Sequence, residues 1–319
     1  MKDKGGMDIM KRSLSCKTYA KINLSLDVTG VRDDGYHEVA MVMQGIDLYD
    51  EMRVRIFPAD EHVITLKTDK YFVPTDARNT AYKAAQLMID ECGLEPMEIR
   101  IDIKKTIPVA AGLAGGSSNA AGVIMALNNM LELGMDMQKM CQIGQKIGAD
   151  VPFSIMTMAA AEPELGIEGG ATCALAEGIG EVLTPLEPAD LWVTLAKPPI
   201  AVSTPAVYRW LDEVGEYEHP DTEKVINGVK NNSLEAISAG MGNVLEYVTL
   251  ERFPQVMELK QQLRSCTENA APGAPTMMSG SGPTMYSLFY GYAAAHEAET
   301  SLRGIVNNKK TDIFCVKTL

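Results

Sequence analysis

The stretch Pro108-Val-Ala-Ala-Gly112-Leu-Ala-Gly115-Gly116-Ser117-Ser118-Asn119 decides how the chain reads. Just before it, Ile99, Ile101 and Ile103 alternate with Glu98, Arg100, Asp102 and Lys104, so the spacing predicts a strand. Just after it, Ala120, Val123, Ile124, Leu127 and Leu131 share one face of a helix from about Ser117 to Leu133. Glycines in such a link let the backbone turn tightly and bring N–H groups close to a ligand. The helix start adds unpaired N–H donors and the positive end of a dipole. Together these make an anion site that needs no local excess of Lys or Arg. Ser117 and Ser118 add hydroxyls suited to phosphate or a metal. The segment lacks a terminal Gly-Lys-Ser/Thr and does not spell GxGxxG, so neither a Walker nucleotidase nor a dinucleotide-binding enzyme is supported. Taken alone, it also reads as a flexible loop that merely caps a helix.

Upstream, Ile22, Leu24, Leu26 and Val28 alternate with Lys21, Asn23, Ser25 and Asp27. Period two predicts a strand with one apolar face, on which Lys21 and Asn23 point together away from the core. Residues 30–35 read as a charged turn, and 39–56 as more strand with a break near Asp47–Asp50. Residues 79–92 carry Ala81, Ala84, Ala85 and Met88 at helical spacing. A second helix is expected over about 138–147, ending at Gly148 as the residue past its C-terminus, with Asp150 just beyond in Gly-Ala-Asp-Val-Pro. Residues 157–190 have weak periodicity and read as a linker or crossover. Leu191–Ala196 reads as a strand. Thr204-Pro205 reads as a helix cap followed by proline, with Tyr208 in the first turn. A helix near 255–264, the glycine-rich Met278–Pro283, a strand over 284–290, a helix over 293–303 and a strand over 312–317 complete the chain. The mixture predicts an α+β fold.

The 319 residues hold 29 Lys+Arg against 42 Asp+Glu, a net charge of −13. That excludes an extended polyanion such as nucleic acid, and an anionic membrane surface, as natural partners. The length predicts two domains, meeting near 160–190. No apolar run is long enough to span a membrane, and the polar start resembles no secretory signal, so a cytoplasmic protein is expected. Residues 1–12 read as a disordered leader, with Met7 and Met10 as alternative starts. The 6 cysteines are scattered without a CxxC pair and read as reduced thiols. The 20 methionines read as core filler.

Two charged residues stand out. Asp150, at a helix end before Val-Pro, is a rigidly placed carboxylate. Lys21 leaves the apolar pattern of its strand. A Lys–Asp pair suits phosphoryl transfer, holding a carboxylate ionised beside an acceptor hydroxyl. The pattern alone does not show that they meet, and each singly also reads as a surface charge or turn cap.

Six blocks, read in order, resemble one family. They are Lys21-Ile-Asn23-Leu24, Gly35-Tyr36-His37-Glu38, Gly112–Asn119, Gly148-Ala-Asp150-Val-Pro152, Ala176-Glu-Gly178-Ile-Gly180-Glu181 and Ser279-Gly-Ser-Gly282-Pro283. From about Tyr19 onward the chain is similar to the 4-diphosphocytidyl-2-C-methyl-D-erythritol kinases, within the galactokinase–homoserine kinase–mevalonate kinase (GHMP) superfamily. The resemblance implies a two-domain GHMP kinase fold. Its N-terminal ATP-binding domain, like ribosomal protein S5, would cover 13–186, its C-terminal α/β-sandwich domain 187–319, with the active site in the cleft between. It implies ATP and Mg2+, and transfer of phosphate to the C2 hydroxyl of the cytidyl-linked alcohol.

In the family pattern Asp150 matches the proton acceptor and Lys21 its charged partner. Asn23 and Thr204 match substrate-side residues, His37 the cytosine edge, and Tyr36 and Tyr208 two aromatics on the cytosine ring. Asn79 and Lys105 match the adenine side. Pro108, Gly112, Leu113, Ala114, Gly115, Gly116, Ser117, Ser118 and Asn119 match the phosphate loop. Gly280, Ser281 and Gly282 match a third block that closes against it. Ser117 or Ser118 would meet the metal, since no carboxylate cage is visible near the loop. Thr157–Glu168 is extra relative to the family and is expected to be a surface excursion. A monomer or homodimer is expected. Another GHMP-type small-molecule kinase, and a catalytically silent nucleotide- or sugar-binding relative, are the competing readings.

Overall fold

A computed structural model describes residues 12–306 and 310–319. The expected leader, with Met7 and Met10, lies outside the described residues apart from Arg12. Contacts divide the chain into two compact units. One holds the described part of Met1–Thr18 with Tyr49–Thr106 and Gly116–Gly170; the other holds Tyr19–Leu48, Ile107–Gly115 and Ala171–Leu319. This division differs from a single boundary at 186/187. Two long paired strands, β1 (Ser13–Val31) and β2 (His37–Pro58), each supply residues to both units.

In the first unit, β3 (Val63–Thr68) runs parallel to β4 (Met97–Lys104), and β4 pairs antiparallel with the second half of β2, Glu51 facing Lys104. Ile99, Ile101 and Ile103 of β4 are buried, as their alternation predicts. The helices are α1 (Thr80–Cys92), α2 (Gly115–Met130), α3 (Met137–Gln145) and α4 (Val151–Ala161). At Gly122, α2 passes so close to the strands that a Cβ would lie 2.0 Å from Met52 Cε and 2.6 Å from Thr18 Cγ2. Small residues along α2 permit that approach.

Three expectations fail in this unit. β2 runs unbroken through Asp47–Asp50, because Asp50 finds donors inside the unit and its charge need not leave the strand. α3 closes at Lys146, and Gly148 is a turn residue whose carbonyl accepts from Val151 N, since α4 begins only three residues later. Residues 157–161 are neither linker nor surface excursion: they complete α4, whose Thr157, Met158 and Ala159 are buried. An α-helix apolar on all sides carries no amphipathic signal. A 3-10 turn, Pro163–Leu165, follows and buries Leu165.

In the second unit the first half of β2 pairs with β5 (Cys173–Glu177), and β5 with β6 (Val182–Leu186). These strands occupy much of the stretch read as a linker. β7 (Trp192–Lys197), β8 (Thr276–Met278), β9 (Met285–Phe289) and β10 (Asp312–Lys317) form an antiparallel sheet in the order β10-β7-β9-β8. The helices are α5 (Thr204–Leu211), α6 (Thr222–Lys230), α7 (Leu234–Gly240), α8 (Glu246–Arg252), α9 (Pro254–Ala270) and α10 (Tyr292–Ile305). The core joins Ile22, Leu24, Ile46, Leu113, Leu191, Leu195, Ile237 and Tyr286. β1 is buried on both faces here, so Lys21 and Asn23 share a face, as expected, but that face is interior. The cap of α5 is Ser203, one residue earlier than expected, with Thr204 as the first helical residue and Tyr208 as the fifth. Helices and two sheets together give the α+β class. No helix among the described residues is long and apolar enough to cross a membrane.

Candidate active site

The glycine-rich loop is held in a strained shape within the second unit. Ala110, Gly112 and Ala114 have φ of 51°, 74° and 56°. A non-glycine residue in that region costs about 1–2 kcal/mol, and such strain gathers at functional sites. Gly112 is irreplaceable on space alone, because a Cβ there would stand 2.1 Å from the Ser279 carbonyl oxygen. Ser279 Oγ donates to Gly112 O at 2.9 Å. The first glycine loop and Ser279–Gly282 are therefore in direct contact. Gly280 and Gly282 are themselves left-handed, with φ of 56° and 83°.

Asn243 clamps that second loop. Its buried amide donates to Met278 O and Gly280 O, both at 2.8 Å, while Glu246 accepts from Met278 N at 2.7 Å. Thr204 Oγ1 and Ser281 Oγ stand 2.7 Å apart. β1 reaches the same place. Lys21 N donates to Leu113 O at 3.2 Å, and Lys21 Nζ donates to Asn23 Oδ1 at 2.8 Å. Tyr286, fully buried, donates its hydroxyl to Asn23 O at 2.6 Å and pins the strand. Burial pushes that phenol well above its ordinary range.

Also in the second unit, the turn from Arg32 to Tyr36 joins β1 to β2. Gly35, at φ 84°, takes the left-handed position, and Arg32 N donates to Tyr36 O at 2.7 Å. The turn leaves Tyr36 59% exposed. His37 follows, its ring 4.8 Å from that of Tyr208 and its Nε2 2.7 Å from Asp212 Oδ1.

The first unit holds the other residues singled out in the sequence. Asp150 occupies the N-cap position of α4 with helical backbone, and its carboxylate makes no capping bond. Its carbonyl accepts from Ser154 N and Oγ, at 3.1 and 3.0 Å, so the buried helix fixes its position. Asn79 caps α1. Its Oδ1 accepts from Ala81 N at 2.9 Å and its Nδ2 donates to Pro74 O at 2.8 Å. Thr80 Oγ1 donates to Gly116 O at 2.6 Å, so the starts of α1 and α2 touch.

Lys105 and Asp50 form an ion pair with side chains 5% and 0% exposed. Lys105 Nζ also donates to Asn119 Oδ1 at 3.1 Å, and Asn119 Nδ2 donates to Thr18 Oγ1 and Asp50 Oδ2. Asp50 Oδ1 accepts from Thr106 N at 2.7 Å. The polar groups of Lys105, Asn119 and Asn79 are thus engaged in holding the unit together. Ser118, in contrast, is fully buried with an Oγ that has no hydrogen-bond partner. A buried hydroxyl without a partner is costly unless a ligand completes it. Among the described residues no group of three or more His, Cys, Asp or Glu gathers as a metal site.

Residues 79–158 match the model described as GHMP kinases N terminal domain. The 4-diphosphocytidyl-2-C-methyl-D-erythritol kinase of Geobacillus kaustophilus is 42% identical over 96% of this chain and 97% of its own length. That of Alkaliphilus metalliredigens is 44% identical over 91% of this chain and 93% of its own. The chain belongs to the 4-diphosphocytidyl-2-C-methyl-D-erythritol kinase family. A crystal structure of a 4-(cytidine 5'-diphospho)-2C-methyl-D-erythritol kinase superposes with a TM-score of 0.71 at 27% identity, covering 96% of this chain and 99% of that one. A homoserine kinase from Cytophaga hutchinsonii, at 18% identity over 98% of this chain and 97% of its own, has a TM-score of 0.72 and shares the fold.

For a member of this kinase family, the sequence reading missed several supports of the site. Asp50 was visible as a charge inside a strand pattern and reads there as a break. Thr18 and Asn243 carry no local signal. Asp212 meets His37 from 175 residues away.

Proposed function

We propose that the chain is an ATP-dependent kinase. It phosphorylates the 2-hydroxyl of 4-diphosphocytidyl-2-C-methyl-D-erythritol, giving the 2-phosphate and ADP, in the non-mevalonate route to isoprenoid precursors. The observation that carries this reading is identity above 40% across nearly the whole length of named relatives. Asp150 takes the proton of the acceptor hydroxyl as the new O–P bond forms and the bond to the leaving diphosphate breaks. Its fixed place at the start of the buried helix α4 supports that role. Lys21 supplies positive charge beside Asn23. Backbone N–H groups of residues 112–118 cradle the phosphates, and Ser118 Oγ waits for a phosphate or metal oxygen shell. Gly280, Ser281 and Gly282 support the loop at Gly112, where Ser279 Oγ donates to Gly112 O, with Thr204 against Ser281.

Tyr36 and Tyr208 stack on the cytosine and His37 meets its edge. Base stacking of this kind is worth about 1–3 kcal/mol per base. Asn79 and Lys105 shape the adenine side by fixing the start of α1 and the end of β4, rather than by offering unspent donors. Mg2+ accompanies ATP and supplies charge neutralisation when bound. Ser117 or Ser118 would meet it, and among the described residues no group of three or more His, Cys, Asp or Glu gathers that could hold it instead. We retain the family division at 13–186 and 187–319, a cytoplasmic location, and a monomer or homodimer. Coupled ADP release with the cytidyl-linked alcohol tests the activity. Turnover of mevalonate or homoserine in its place would overturn it. Asp150→Asn should abolish ADP release with ATP binding intact, and unchanged turnover would remove Asp150 from its role.

A further inference from the structure

Asp212 follows the last residue of α5 as its C-cap, and its backbone N–H closes the helix on Tyr208 O at 3.1 Å. Its carboxylate has a second partner, His37 Nε2, at 2.7 Å. An ionised carboxylate only accepts hydrogen bonds, so Nε2 carries a proton in this pair. In the neutral imidazole the other nitrogen, Nδ1, is then a bare lone pair. Among the described residues it makes no hydrogen bond. The ring is held in plane and position from another side by Tyr208, 4.8 Å away at 36°. The His37 side chain is only 11% exposed, so its remaining polar edge has little water to choose from.

A fixed lone pair recognises an N–H donor and repels a carbonyl oxygen. Cytosine presents an exocyclic amine where uracil presents a carbonyl. We propose that Asp212 is a specificity-determining positioning residue: by holding the Nε2–H tautomer of His37, it makes Nδ1 select a pyrimidine bearing an exocyclic amine over one bearing a carbonyl. This rests on the reading above that His37 meets the base. Asp212 touches no substrate atom; it acts through the imidazole, as carboxylates beside metal-bound histidines fix which ring nitrogen is exposed.

The test compares kcat/KM for the CDP-linked alcohol and its UDP-linked analogue, in the unaltered enzyme, Asp212→Asn and Asp212→Glu. It is run at about pH 8, above the ordinary imidazole range. A site that hydrogen-bonds its ligand rejects a mismatched analogue strongly, so the unaltered enzyme should favour the CDP compound by at least ~10²-fold. Asp212→Asn presents either an acceptor or a donor to Nε2. It should cut that ratio by about tenfold or more, with the KM for ATP unchanged. Asp212→Glu should keep most of the ratio.

With only 4 histidines, nitrogen NMR of labelled protein reads the tautomer directly. His37 should be protonated on Nε2 in the unaltered chain and mixed in Asp212→Asn. A ratio that Asp212→Asn leaves within about twofold, or an Nδ1–H tautomer in the unaltered chain, overturns the role of Asp212 alone. Equal losses on both substrates together with ATP would make Asp212 merely structural. Failure of the unaltered protein to turn over the CDP compound sinks the function and this inference together.

Discussion

Lys105→Met removes the ammonium buried against Asp50 and leaves a carboxylate in the interior of the first unit. Asp50 then keeps Asn119 Nδ2 at 2.9 Å and Thr106 N at 2.7 Å as donors but loses the ammonium paired with it. Breaking one side of a buried ion pair costs about 3–5 kcal/mol, because the remaining charge is uncompensated. With a urea dependence of about 3 kcal/mol per molar, a loss of ~4 kcal/mol lowers the unfolding midpoint by about 1.3 M. Adding Asp50→Asn takes the charge away while keeping an acceptor for Thr106 N. The double variant should therefore regain more than half of the loss, since removing both partners is far cheaper than removing one. Urea melts of the two single variants and the double variant, followed by fluorescence, read all three numbers. The same proteins give the KM for ATP. A midpoint that moves by less than about 0.3 M while that KM rises tenfold would refute the reasoning, because it would mean that the ammonium is spent on nucleotide.

Gly112→Ala must part the two glycine loops or displace the Ser279 carbonyl, which its methyl would meet at 2.1 Å. ADP release should fall by at least ~10²-fold, a scale set by small misplacement of reacting groups, and near-normal turnover would show that the loops are not needed in contact. Tyr36→Ala should raise the KM for the cytidyl-linked substrate by about tenfold or more and leave that for ATP unchanged, from a stacking loss of about 1–3 kcal/mol; equal effects on both would remove Tyr36 from the base. Stability should decline as pH rises from about 9 toward 12. Burial pushes the thiols of Cys16 and Cys173 up to about 12 from 9.0, so the unfolded chain loses these protons first. Their contribution is complete below pH 9 and fades as pH climbs through the folded values; Cys16→Val should flatten the decline, and an unchanged slope in thermal melts across that range would count against it.

What the chain discloses before folding depends on whether a signal is local. The β4 alternation, the α2 stripe and the glycines between them are local, and the structure has them where the spacing predicts. Lys21 and Asn23 are local in a weaker sense. Period two puts them on one face, but only the surrounding unit makes that face interior. α4 is invisible because it is apolar all round, and a buried helix has no polar face to mark its period. Asp50 misleads for the same reason in reverse: a charge inside a strand reads as a break until its partners from β4 and α2 are known. The pairs Gly112–Ser279 and His37–Asp212 join residues far apart in the chain, and no window of sequence contains both members.

An acidic chain that holds phosphates needs a source of positive potential other than surplus Lys and Arg. In the first unit several cations are already matched by carboxylates. Lys105 faces Asp50, Lys104 faces Glu51, Arg55 faces Asp102 and Lys146 faces Glu91. The start of α2 adds backbone N–H groups of a helix begun by Gly115 and Gly116, with Ser118 Oγ buried and unmatched beside them. Such donors act at hydrogen-bond range and add nothing to the far field. The net charge of −13 therefore disfavours extended polyanions without excluding a compact triphosphate at such donors, because the two partners are discriminated at different distances. The strain at Ala110 and Ala114 belongs to the same solution. A cradle made of backbone is specified by φ and ψ rather than by side-chain charge, so its stability cost falls on conformation.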